Sequence, residues 1–356
     1  FHGGSARALV YRQFYRAADL FRDSLGDGVK DAEKIAQEAE SAMSRLLDRH
    51  GGEPRGLQDV FRESLAYIDE RGERGGELAG LATGFHDFDR LTGGLEPGQL
   101  VIVAARPSVG KTIYGCNIAN HVASRGGAVL FFTLEMPARE IGLRILSARA
   151  KVSVQTMRTG TRDELHWNSL GAQLAASDGQ RLFVDDMPAI STAYARAKAR
   201  RMQRKHGLDL VVIDYLQLMR GKGDNRTQEI GSISRALKAL AKELSVPIIA
   251  LAQLNRNVEG RQDKRPMLSD LRDSGEVEQD ADIVAMLHRE ELYSDSPEWQ
   301  GYAELLVRKN RNGPTGELAL NYRPEEMVFT NYAGPNIRRQ LAAVIKRTRN
   351  SRGFED

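Results

Sequence analysis

Cysteine is nearly absent: Cys116 is the only one in 356 residues. A lone cysteine excludes an internal disulfide and a cysteine-built metal cluster, and it fits a reducing, cytoplasmic setting. Its place inside an apolar helical stretch reads as packed core. Long apolar runs are missing too. None approaches the roughly 20 residues a membrane-spanning helix needs, so no membrane contact is expected. Charge of one sign is also lacking, since 51 Lys and Arg against 48 Asp and Glu leave a net +3. No whole-molecule field therefore draws in nucleic acid, and any such contact must come from local patches. No repeat of 20 to 50 residues is present, which excludes a solenoid. The first residue is Phe1 rather than Met, which reads as a start inside a longer protein.

What is present centres on residues 100–122. The apolar run Leu100-Val101-Ile102-Val103-Ala104 leads into Ala105-Arg106-Pro107-Ser108-Val109-Gly110-Lys111-Thr112, and a helical stretch from Ile113 to Val122 follows. A strand, a tight turn ending Gly-Lys-Thr and then a helix present backbone N–H groups to a triphosphate. Ser108, Gly110, Lys111 and Thr112 are the binding candidates, with Lys at the β/γ-phosphates and Thr on Mg²⁺. The usual pattern opens with Gly, and here that position is Ala105.

Around this centre the chain divides into four parts. Residues 1–50 read as a helical hairpin, the end of an amino-terminal domain, because Val10, Phe14, Ala17 and Phe21 and then Ile35, Ala39, Met43 and Leu47 recur at helical spacing. Residues 51–80 read as a linker. Its helix carries the stripe Leu57, Val60, Phe61, Leu65 and Ile68 with no layer of its own to bury it, so it is a candidate interaction helix. From Leu81 onward, short apolar strands alternate with amphipathic helices as far as 332, which predicts an α/β domain with a mostly parallel sheet covered on both faces. Residues 333–356 form a basic tail.

Three groups sit at predicted strand ends, where ligands gather in open α/β sheets. Asp214 ends Val211-Val212-Ile213 and is placed to hold Mg²⁺ through water; a helix cap or loop anchor is the alternative. Glu135 ends the run from Val129 and is a candidate to orient and deprotonate water; a structural ion pair is its alternative. Gln253 closes the strand from Val246, where an uncharged amide can sense a γ-phosphate. Lys309 and Arg311 lie two apart at another strand end and so point the same way, toward one anion or simply into solvent.

Six segments in this order resemble the motifs of DnaB-type replicative DNA helicases: 105–112, Leu134-Glu135-Met136-Pro137, Asp214 to Met219, Ala252 to Arg256, Leu271-Arg272-Asp273-Ser274-Gly275 and Lys309 to Pro314. The likeness covers about 81–332, more loosely 1–80, and the family tolerates Ala at the first position of the phosphate loop. It implies a RecA-like P-loop core preceded by a helical hairpin and a linker helix. It also implies a homohexameric ring with ATP and Mg²⁺ at each subunit boundary and single-stranded DNA through the centre, moving 5′ to 3′. By the same likeness Glu135 activates water, Asp214 supports Mg²⁺, Gln253 reports on the γ-phosphate, and Lys309 and Arg311 reach into the neighbour's site. Arg272, Asp273 and Gly275 would hold the DNA backbone, although many relatives carry Glu where this chain has Asp273. A helicase loader and a primase are the further partners implied.

The densest positive run, Arg196, Lys198, Arg200, Arg201, Arg204 and Lys205, reads as a solvated helix face in preference to a DNA contact. Two rivals share the ATP site: a RecA-like recombination or repair ATPase, and an ATP-gated ring scaffold without unwinding.

Overall fold

The computed structural model describes residues 55–73, 78–160, 163–338 and 340. The hairpin expected over 1–50 and most of the basic tail lie outside these residues. The chain divides into two units, Phe1–Gly76 and Glu77–Asp356, each described by itself.

In the first unit the expected linker helix is α1, Leu57–Glu73. Its apolar stripe lies open, with Leu57, Phe61, Leu65 and Ile68 all exposed.

The second unit is built on one nine-stranded sheet in the order β3-β2-β4-β5-β1-β6-β7-β8-β9. Strands β1 (Leu100–Ala105), β2 (Ala128–Thr133), β3 (Arg181–Asp185), β4 (Leu210–Asp214), β5 (Ile248–Gln253) and β6 (Ile283–His288) run parallel. Strands β7 (Tyr302–Asn310), β8 (Gly316–Arg323) and β9 (Val328–Asn331) extend the sheet antiparallel through hairpin-type pairings. The sheet is thus mostly parallel, as the alternating pattern predicts.

The side-chain period of 2 explains how β1 serves both faces. Leu100, Ile102 and Ala104 join one core cluster; Val101, Val103 and Ala105 join the other. On the first face lie α7 (Thr192–His206) and α8 (Arg226–Leu244). Asn225 caps α8 by accepting the Gln228 N–H at 2.9 Å, and Ile230, Ile233, Leu237, Leu240 and Leu244 are its buried stripe. The opposite face is covered by α2 (His86–Thr92) and α3 (Lys111–Ser124), with Cys116 buried on α3. Burial pushes the Cys116 thiol up to about 12, in keeping with a packed core residue.

Beyond the sequence reading, α5 (Val154–Thr159) and α6 (Glu164–Ala176) follow α4 (Ala138–Ala150). The basic run on α7 is tied partly into the fold: Arg196 and Arg200 both pair with Glu243, and Lys198 pairs with Asp185 at 2.7 Å. The solvated-face reading therefore fits Arg201, Arg204 and Lys205, which are exposed.

Candidate nucleotide site

The loop between β1 and α3 leaves the carboxyl edge of the parallel strands. Gly110 is its hinge, with φ +114, in the left-handed region that favours glycine. A Cβ there would also meet the Phe329 ring at 2.8 Å. No side chain caps α3, so its first-turn N–H groups stand without intrahelical partners at the helix's positive end, as an anion site requires.

Three further strand ends close around the loop. Asp214 at the end of β4 is wholly buried. Its Oδ2 accepts the Thr112 hydroxyl at 2.6 Å, and its Oδ1 lies 3.3 Å from Lys111 Nζ. That Oδ1 is a buried acceptor without a well-formed hydrogen bond, which suits water or a cation's hydration shell. Burial lowers the Lys111 pKa, while the nearby Asp214 and Glu135 carboxylates pull it back up. The ammonium also lies 3.7 Å over the Tyr215 ring. Glu135, just beyond β2, is exposed.

Gln253 ends β5 beside Ala105 in register. Its backbone is held by Gln217, whose side chain accepts the Gln253 N–H at 3.1 Å and donates to the Gln253 carbonyl at 3.0 Å. The Gln253 side chain is exposed.

Strand ends and the loop thus gather Ser108, Gly110, Lys111, Thr112, Glu135, Asp214 and Gln253 at one edge. Among the described residues no cluster of three or more His, Cys, Asp or Glu forms a metal cage. The donors fit Mg²⁺ all the same, because that ion keeps several waters and takes one or two protein oxygens plus substrate phosphates.

Lys309 and Arg311 are not part of this gathering. Arg311 N–H donates to the Asp282 carbonyl at 2.9 Å, and Asp282 N–H donates to the carbonyl of Leu100, the first residue of β1, also at 2.9 Å. The phosphate loop leaves from the last residue of β1. At about 3.3 Å per residue, those two ends of β1 stand roughly 17 Å apart. Both cations do point the same way, as their spacing suggests. Lys309 Nζ donates to the Glu278 carbonyl at 2.5 Å and to the Gln279 carbonyl at 3.2 Å, and Arg311 donates to Gln279 as well. They cap the end of α9, Gly275–Asp280, where cations suit the negative helix terminus. Burial and the adjacent Arg311 lower the Lys309 pKa.

Gly275 starts α9, directly after the 3-10 turn Leu268–Ser274; a side chain at Gly275 would meet nothing within 4 Å. The side chains of Arg272 and Asp273 lie outside the described residues.

Two arginines escaped the sequence reading. Arg106 is buried and reaches Glu259 and the Leu254 carbonyl. Arg289 is buried too; its Nη1 donates to the Ser108 carbonyl at 3.1 Å, and its guanidinium lies 3.9 Å over the Tyr322 ring. Each ties the phosphate loop to a distant part of the chain, Arg106 from within the loop and Arg289 from beyond β6, and no local pattern marks such partners.

Comparison with known proteins gives one answer. Residues 80–331 match the family described as DnaB-like helicase C terminal domain. The replicative DNA helicase DnaB of Geobacillus stearothermophilus is 42% identical over 327 residues, 90% of this chain and 72% of that protein. The replicative DNA helicase DnaC of Bacillus subtilis is likewise 42% identical over 327 residues, with the same coverage of 90% and 72%. Among solved structures, a DnaB-like replicative helicase described with its interactions with primase has a TM-score of 0.74 at 33% identity, covering 92% of this chain and 78% of that one.

Proposed function

The chain belongs to the DnaB-like helicase family, and from that premise we propose that it is a replicative helicase that hydrolyses ATP at the boundaries of a homohexameric ring and moves 5′ to 3′ along single-stranded DNA, unwinding the duplex ahead. The observation that carries this reading is the split site. Lys111, Thr112, Glu135, Asp214 and Gln253 share one edge of the sheet, while Lys309 and Arg311 stand at the other, out of reach of that loop within one chain, which supports their use by a second copy.

The loop amides and Lys111 bind the β- and γ-phosphates of ATP. Thr112 and Asp214 would hold Mg²⁺, which would supply neutralisation of phosphate charge. Glu135, exposed at the site's mouth, orients and deprotonates the attacking water. Lys309 and Arg311 release the carbonyls of α9 and stabilise the transferring phosphoryl group of the neighbour. A cation supplied in trans is worth roughly 10³ to 10⁵ in rate, so turnover depends on assembly. Gln253 senses the γ-phosphate. Arg272 and Asp273 of the 3-10 turn, with Gly275 at the start of α9, grip the DNA backbone without reading bases.

The open apolar stripe of α1 supports assembly, because such a face finds its partner on another surface. Primase is a partner on the strength of the similar helicase described with it, and a loader is the second. The test is a forked-DNA unwinding assay with ATP and Mg²⁺. Strand separation is expected; brisk ATP turnover without it, in rings shown to be assembled, contradicts the helicase reading and favours a scaffold.

A further inference from the structure

Two ion pairs lie in series between the phosphate loop and the turn that leads to Gly275. The first joins Arg106, next to β1, with Glu259: Arg106 Nε and Nη2 donate to Glu259 Oε1 at 2.9 and 2.6 Å, while Nη1 donates to the Leu254 carbonyl at 2.7 Å. Two residues later Arg261 forms the second. Its Nη1 and Nη2 donate to Asp270 Oδ1 and Oδ2 at 3.1 and 2.7 Å, and Nη2 also reaches the Arg265 carbonyl at 2.9 Å.

Asp270 is buried and governs the turn it belongs to. Its carboxylate accepts the Met267 N–H at 2.7 Å, which fixes the start of Leu268–Ser274. Its carbonyl accepts the Asn255 N–H at 3.2 Å, two residues after Gln253. A two-pronged arginine–carboxylate pair fixes orientation as well as distance, so it transmits displacement where a flexible contact would absorb it. A cavity of about 470 Å³ lined by Gln253, Asn255, Asp270 and Leu271, among others, gives the turn room to shift.

We propose that Arg106–Glu259 and Arg261–Asp270 act together as a strut, positioning the turn 268–275 according to what the phosphate loop holds. These are positioning residues, acting through the loop and the turn they tie together. The inference rests on the helicase reading for the DNA-holding role of the turn.

The test compares assembled full chains for single-stranded DNA affinity with a non-hydrolysable ATP analogue and with ADP, and for ATP turnover without DNA. In Arg261→Gln the ratio of the two affinities should fall toward unity, by roughly 2- to 30-fold, with DNA-free turnover unchanged. Arg261→Lys keeps the charge but loses the fork and should fall between. A merely structural role would weaken both affinities together and leave their ratio intact, which overturns the strut. Should Arg261→Gln not fold, Glu259→Gln carries the test at a half-exposed side chain; a reduced ratio supports the strut and an unchanged one overturns it. A wild-type chain that binds DNA equally with either nucleotide removes the strut whatever its unwinding activity, and failure of the forked-DNA assay removes the helicase reading, so the two failures are told apart.

Discussion

The Thr112 hydroxyl donates to Asp214 Oδ2 at 2.6 Å, so the first turn of α3 and the end of β4 meet at one carboxylate that is wholly buried. Both oxygens that would hold Mg²⁺ are therefore set before any nucleotide arrives. Asp214→Asn keeps the shape and the acceptor for Thr112 but removes the charge. Groups acting on a metal through its bound water cost about 10- to 100-fold when altered. The Mg²⁺ concentration giving half-maximal ATP turnover should rise by that factor, which a Mg²⁺ titration of phosphate release checks.

Lys111 spends its charge inside the site, on Asp214 at 3.3 Å and over the Tyr215 ring at 3.7 Å. Lys111→Ala should abolish ATP turnover and leave assembly intact. Phosphate release and sedimentation, run on one preparation, decide it; retained turnover removes the phosphate-loop assignment.

At Gly110 both backbone and space demand glycine. Gly110→Ala places a β-carbon 2.8 Å from the Phe329 ring at φ +114. Strain in such a region costs about 1 to 3 kcal/mol, so the melting temperature should fall. Phe329→Leu in the same chain should recover part of that loss relative to Phe329→Leu alone, because the two positions are in contact and couple. Strictly additive melting shifts would mean that the ring is not the obstacle.

Acid should expose another pair. The Glu290 carboxyl is held down at about 2, against an ordinary 4.5, first by the hydrogen bond from His288 and then by Arg338, with burial opposing. A carboxyl depressed on folding stabilises the fold fully above its unfolded pKa. That contribution drains away as pH falls from about 4.5 toward 2. Glu290→Gln should flatten this limb of the stability–pH curve in denaturant titrations, and an unchanged slope would count against the pairing.

Much of this was legible because the parallel strands are buried on both faces. β1, β2, β4 and β5 are continuous apolar runs, and their ends could be read as the places where Lys111, Glu135, Asp214 and Gln253 collect. Helix α8 showed through its stripe of Ile230, Ile233, Leu237, Leu240 and Leu244. What the sequence withheld is long-range. Arg106 and Glu259 are 153 residues apart, and Arg289 and Ser108 are 181 apart; no spacing rule links them. The placement of Lys309 and Arg311 at the far edge depends on β7 running antiparallel to β6, a register that periodicity alone does not set. The short α5 and β9, and α6 with its weak apolar period, were missed.

On the proposed function each copy carries half of a site, with Lys111 and Glu135 at one edge and Arg311 at the other. That division is tested by ATP turnover in rings assembled from Arg311→Ala and Glu135→Gln chains, each expected to be inactive alone. Where an Arg311→Ala copy contributes the phosphate loop and a Glu135→Gln copy the arginine, a complete site forms, so mixed rings should recover hydrolysis. Mixed rings confirmed by mass that stay as inactive as their parents would contradict the account.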